Sequence, residues 1–181
     1  QVIPNEVASE EIIVKPESCL LGVGKKMKLE VQVLPENTTD KTVEWSSSNT
    51  DIVKVDEKGR ITGVAVGNAV ITCTAADGSG AEGYCEVEVC QQITDIRLDT
   101  SYLDMVVGDT ETISGWIYPS DATYGVKWTS DDPTIAIVDA LNGRVTALKA
   151  GDTVVRATAE DESGVEAICI VHVRNPVPIT N

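Results

Sequence analysis

Gly59-Arg60-Ile61-Thr62-Gly63 recurs as Gly143-Arg144-Val145-Thr146-Ala147, 84 positions later. The same interval carries Gly24 to Gly108, Pro35 to Pro119, Gly67 to Gly151 and Cys85 to Cys169. A fixed period marks an array of like modules rather than one enzyme-sized core, and it divides the 181 residues into two copies of one unit. Each copy is long enough to bury its own core without staples. The expected divisions are an N-terminal extension over 1–10, a first module over 11–90, a second over 91–174, and 175–181 as a tail or the start of a further repeat. The last expectation arises because Val177-Pro178-Ile179-Thr180 falls where Ile93-Thr94-Asp95-Ile96 opens the second copy.

Within a copy the pattern is that of strands. Lys26-Met27-Lys28-Leu29-Glu30-Val31-Gln32-Val33 alternates strictly, which sets Met27, Leu29, Val31 and Val33 on one face. Thr42 to Trp45, Arg60 to Thr62, Ala69 to Thr74 and Cys85 to Val89 alternate too. Turn formers stand between them, at Pro35-Glu36-Asn37, Lys58-Gly59 and Asp77-Gly78-Ser79-Gly80 among others. No window has apolar residues at i, i+3, i+4 and i+7 over several turns. Six or seven short strands per copy predict an all-β chain of two-sheet antiparallel sandwiches. With no Phe and 4% aromatic residues, the interior must be Val, Ile, Leu and Ala around a few Trp, a mix that suits strands. The second copy loses one residue between Pro119 and Trp128 and gains one at Asn142, both in turns, where length changes are tolerated. The joint Cys90-Gln91-Gln92 is too short for a flexible tether. A stiff pair arranged end to end is expected, with a radius of gyration above the about 16 Å of a compact globule of this length.

Fourteen Lys and Arg against 29 Asp and Glu give a net charge of −15, which repels phosphate backbones and anionic lipid heads. Nucleic acid is therefore not expected as a partner. No stretch approaches the roughly 20 apolar residues of a membrane span, so membrane insertion is not expected either. No basic stretch followed by an apolar one opens the chain. It begins at Gln1 rather than Met, which reads as a mature or excised fragment whose neighbouring domains belong to a longer parent.

The runs Val43-Glu44-Trp45-Ser46-Ser47-Ser48-Asn49, Ile52 to Asp56 and Gly59 to Thr72, echoed by Val126 to Ser130, Ile135 to Asp139 and Gly143 to Gly151, resemble the bacterial immunoglobulin-like domain, group 2 family. The resemblance covers about residues 11 to 174. The Trp-Ser/Thr-Ser, Gly-Arg-Ile/Val-Thr and Val/Ala-Gly elements occur together, in order and twice. It implies two tandem immunoglobulin-like β-sandwich domains of the kind found on bacterial and phage surface proteins and appended to secreted enzymes. It implies no shared catalytic residues and no cofactor. The functions it suggests are spacing, adhesion and, in some members, carbohydrate or calcium binding.

Trp45 and Trp128 occupy inward positions of a central strand, where that architecture wants a large aromatic between its sheets; both are expected in the core. On Thr112 to Tyr118, Ile113 and Ile117 match the inward Leu29 and Val33, so Trp116 and Tyr118 face outward where the first copy has Gln32 and Leu34. An outward Trp-x-Tyr pair can stack on a sugar ring or anchor a protein, or pack against a neighbouring module or loop. Tyr124, in the nearby turn, is a candidate to extend the patch. Cys19, Cys73, Cys85, Cys90 and Cys169 are odd in number. A Cys73–Cys85 or Cys19–Cys73 disulfide is conceivable in an oxidising compartment, and buried thiols acting as small apolar residues are the alternative. No Cys/His spacing suggests zinc.

The single histidine, His172, points outward by phase, and with no nucleophile motif around any Ser, triad chemistry has little support. Asp131-Asp132, Asp161-Glu162, Asp109, Asp121 and Asp152 could gather calcium, but their spacing is not that of a calcium loop, and solvated acids are the default. The sequence thus predicts a non-catalytic extracellular spacer or adhesion module of a larger bacterial cell-surface or secreted protein, its partner a protein or glycan at a cell surface. The alternative is a carbohydrate-binding module using the Trp116/Tyr118 face.

Overall fold

A computed structural model describes residues 6–177, so residues 1–5 of the expected extension and 178–181 of the expected tail lie outside the described residues. The chain forms two compact units, Gln1–Cys90 and Gln91–Asn181. Among the described residues every regular element is a strand. In the first unit these are β1 (Glu11–Lys15), β2 (Ser18–Gly22), β3 (Lys26–Lys28), β4 (Glu30–Leu34), β5 (Val43–Ser47), β6 (Val53–Val55), β7 (Arg60–Gly63), β8 (Gly67–Ala75) and β9 (Glu82–Cys90). The second unit repeats the series as β10 (Asp95–Leu98), β11 (Tyr102–Val106), β12 (Thr110–Thr112), β13 (Gly115–Tyr118), β14 (Val126–Ser130), β15 (Ala136–Val138), β16 (Arg144–Ala147), β17 (Gly151–Ala159) and β18 (Glu166–Arg174).

In each unit a four-stranded layer, β2-β9-β8-β5 or β11-β18-β17-β14, faces the pair β1-β4 or β10-β13 and the triplet β3-β7-β6 or β12-β16-β15. Two details depart from the sequence reading. The expected continuous strand from Lys26 to Val33 is broken at Leu29, whose amide bonds Gly59 O at 2.9 Å. The break lets one half pair with β7 and the other with β1. Leu29 and Val33 are buried, but Val31 is 39% exposed beyond the break. The first strand is also divided. After Pro16-Glu17 the chain changes layer, and β2 runs parallel, not antiparallel, to β9; β11 and β18 do the same.

Each unit closes its own core. Leu29, Ile61, Ile71, Val87 and Val89 are under 2% exposed in the first, as are Ile113, Val145, Val155, Val171 and Val173 in the second. Trp45 of β5 and Trp128 of β14 stand on an edge strand of the four-stranded layer, not on the central strand expected, and each packs beneath the Gly-Arg turn of its own unit. A Cβ on Gly59 would lie 2.7 Å from Trp45 Cζ2, and one on Gly143 would lie 3.0 Å from Trp128 Cε2 and 2.5 Å from Ile113 O. Both glycines have positive φ, 73° and 70°, a region costly for any residue with a Cβ. Trp128 is 5% exposed, whereas Trp45 is half-buried against its core. The residue gained near Asn142 accompanies the difference: in the longer turn Ala140 O accepts the Trp128 amide at 3.0 Å, and Leu141 and Asn142 share a hollow with Trp128.

A candidate binding face on the second unit

The outward phase of β13 places Trp116 and Tyr118 at 56% and 43% exposure. β13 pairs antiparallel with β10, and the register sets Arg97 opposite Trp116 and Asp95 opposite Tyr118. Directly opposed side chains on one face are neighbours, so four side chains form one group. The Arg97 guanidinium lies over the Tyr118 ring, 5.0 Å from its centroid, and its Nε donates to Asp95 Oδ2 at 2.8 Å. Asp95 thus orients the arginine, and the arginine holds one face of the tyrosine by cation–π attraction. The first unit has Glu11, Ile13, Gln32 and Leu34 at these positions, so all four differ together.

Tyr124 is half-buried in the loop after β13, outside the paired strands. Its neighbours are tied elsewhere, Thr123 N to Gln91 O and Glu160 N to Gly125 O. Cys73 and Cys85 are buried thiols with no disulfide. They are offset across β8 and β9, where Cys73 faces Gly83 and Cys85 faces Ile71. Burial pushes Cys73 up to about 11 and Cys85 up to about 12, the latter with a further contribution from the neighbouring Cys19 thiol. Cys169 is raised to about 11 by burial. Such thiols are poor nucleophiles at neutral pH.

The acidic residues have local duties. Asp131 takes both its oxygens to Arg156, at 2.8 and 2.9 Å, Asp132 accepts the Thr134 amide and hydroxyl, and Asp152 meets His172 Nδ1 at 2.6 Å. Among the described residues no three His, Cys, Asp or Glu side chains converge, and no helix is long and apolar enough to cross a membrane. Asp161 is the residue that sequence reasoning misplaced. It is fully buried and accepts the amides of Ile93 and Ser163. Burial works to raise its carboxyl, but the Ser163 hydroxyl and the Ile93 and Ser163 amides outweigh it and hold it below the ordinary range. Asp77 does the same in the first unit, accepting Ser79 N at 2.9 Å and Ser9 N at 2.7 Å. Each aspartate therefore latches the segment entering its unit to the last hairpin. The signal was present as Asp77-Gly78-Ser79 and Asp161-Glu162-Ser163 at the repeat interval.

The sequence model of the bacterial Ig-like domain (group 2) matches residues 8–85 and again residues 92–169. The chain belongs to the bacterial Ig-like domain (group 2) family. These group 2 modules are 36% identical over 162 residues to an uncharacterized protein of Clostridium acetobutylicum, covering 89% of this chain and 16% of that protein. They are 27% identical over 162 residues to an Ig-like virion protein of Serratia phage KSP90, covering 87% of this chain and 63% of that one. A third match, 39% identical over 71 residues, covers 39% of this chain and 6% of a 3-O-alpha-D-galactosyl-alpha-L-arabinofuranosidase of Bifidobacterium longum subsp. longum. The chain thus spans less than two thirds of each of these relatives.

Proposed function

We propose that the two group 2 modules form a non-catalytic spacing and adhesion segment of a larger protein displayed on, or secreted from, a bacterial cell. The observation that carries this reading is the pairing of two complete, separately closed cores with a match to only a small part of much longer relatives, 16% and 6% of two of them. The partner is a protein or glycan at a cell surface, together with the neighbouring domains of the parent chain. Replacing residues 11–174 in that parent with an unrelated two-domain spacer tests it. Retained adhesion assigns the segment to spacing, and lost adhesion with the parent still displayed assigns it to contact. Turnover of any substrate by the purified pair would overturn the reading altogether.

A second reading, a carbohydrate-binding module, is favoured by the Trp116, Tyr118 and Arg97 group. Exposed aromatic faces suit the C–H face of a pyranose, and an arginine already oriented by Asp95 has donors left for vicinal hydroxyls. One relative carrying a similar module is named for action on a galactosyl arabinofuranoside, which agrees with a glycan-rich setting. Trp116→Ala should abolish binding on a glycan array while the melting temperature holds. An array blank for the unaltered pair sinks this reading.

A further inference from the structure

The route by which tension would cross each unit is set by its parallel pair. A unit's chain comes in through its first strand and goes out through its last, and those two segments are direct neighbours. β2 lies parallel to β9 from Ser18↔Glu86 to Gly22↔Cys90, and β11 to β18 from Tyr102↔Ile170 to Val106↔Arg174. The ladder is extended at both ends in both units. Glu86 N donates to Glu17 O and Val23 N to Cys90 O, and at the repeat interval Ile170 N donates to Ser101 O and Val107 N to Arg174 O, all between 2.8 and 3.0 Å.

Pulling the two ends of a unit apart drags β2 backward and β9 forward along their shared axis. The bonds of the pair are then loaded together, in shear, instead of being peeled one at a time. The first half-strand is loaded in the same sense against its own partner, over five residue pairs in β1–β4 and four in β10–β13. Leu21, Val87 and Val89 seal the inner side of the first ladder, and Met105, Val171 and Val173 that of the second. Water therefore reaches a strained bond there from the outer side alone. The Asp77 and Asp161 latches fasten the segment upstream of the sheared strands.

We propose that this segment is load-bearing: each unit is a shear clamp, so a surface protein tethered through it withstands pulling along the chain. The inference rests on the spacing reading and adds a mechanical task to it. It applies to tension delivered through the ends of a unit, not to tension delivered elsewhere on its surface.

Single-molecule pulling of the whole chain tests it. With handles at the two chain ends, both units are sheared and two high-force unfolding events are expected. With one handle moved to position 25, through an introduced azide-bearing residue, and the other kept at the C-terminal end, β2 and β9 are pulled apart at their adjacent ends. The first unit should then open at clearly lower force, while the second, still sheared, keeps its high-force event in the same trace. Val23→Pro gives an independent arm. Lys25 N bonds Gly22 O at 3.0 Å and Gly24 has φ of 79°, a type II turn in which proline is favoured at the second position. The variant keeps the turn and removes only the Val23 amide that donates to Cys90. It should raise the forced unfolding rate of the first unit roughly five- to tenfold, the worth of one hydrogen bond, while the restriction that proline places on the unfolded chain offsets much of that loss in the equilibrium denaturation midpoint. Equal opening forces in the two geometries, or an unchanged rate in Val23→Pro, would overturn the clamp. The spacer-replacement experiment would be untouched by either result, because spacing does not require resistance to force.

Discussion

The two units agree inward and disagree outward. Leu29 and Ile113, Ile71 and Val155, Cys85 and Cys169, and Val87 and Val171 occupy matched positions, and all are at most 1% exposed. On the outer faces, Glu11, Ile13, Gln32 and Leu34 stand where the second unit has Asp95, Arg97, Trp116 and Tyr118. On the opposite layer, Tyr84, Glu86 and Glu88 stand where it has Ile168, Ile170 and His172, and Thr72 where it has Arg156. A close-packed interior tolerates only small changes of volume, so both copies keep an apolar filling of similar size, Ile71 and Val155 differing by one methylene. The outer faces carry no such constraint, and whatever distinguishes the work of the two copies is written there.

The largest expected effect tests the inward agreement at its weakest point, the two tryptophans. Trp128→Ala should cost about 3–5 kcal/mol, a large part of a small domain's stability. Trp45→Ala should cost less, because its ring is only half-buried. Denaturant unfolding that resolves the transitions of the two units measures both. Equal losses would mean that the longer turn bearing Ala140 and Leu141 adds nothing to the burial of Trp128.

Next in size are the latches. Asp161→Ala strands the buried amide of Ile93, a loss of about 2 kcal/mol. The carboxyl is held below its ordinary value when folded, so its contribution is present above the unfolded pKa of about 3.9 and is lost as the pH falls below it. Asp161→Asn should therefore flatten the acid limb of the second unit's stability below about pH 4 and leave the first unit's acid limb intact. Asp77, pulled well below the ordinary range by the Ser79 hydroxyl and amide and the Ser9 amide, predicts the mirror result. An unchanged acid limb in Asp161→Asn would show that the latch does not govern acid sensitivity.

These predictions fall on residues of unequal legibility. The repeat interval, the strand alternation and the outward phase of Trp116 and Tyr118 were open to reading because each is a local pattern of period two or a fixed spacing. Arg97 was not read as part of that group, because only the pairing of β10 with β13 sets it opposite Trp116. The parallel run of β2 beside β9 was missed for the same reason. Nothing in Lys15-Pro16-Glu17-Ser18 announces that the chain changes layer there, and that change also brings Cys19, rather than Cys73, to the Cys85 thiol. Asp161 read as a surface acid because its burial depends on a hairpin curling over the incoming segment, which periodicity does not encode. In each case what was hidden is a contact between distant parts of the chain.

The smallest stability effect belongs to the outward disagreement itself. Exchanging the outer pair of the second unit for that of the first, Trp116→Gln with Tyr118→Leu, removes exposed rings and one surface cation–π contact, so the cost should be at most about 1 kcal/mol. The reverse exchange, Gln32→Trp with Leu34→Tyr, adds the rings to the first unit but leaves Ile13 where the second unit has Arg97. Any partner captured by the second unit then separates two explanations. If binding transfers with the two rings alone, the aromatic surface is sufficient and Arg97 is a bystander. If it transfers only when Ile13→Arg and Glu11→Asp are added, the four residues act as one site, because a ring without its oriented guanidinium offers stacking but no directed donors. Isothermal titration of the exchanged chains against the same partner decides between them, with the unfolding transitions confirming that both units remain folded.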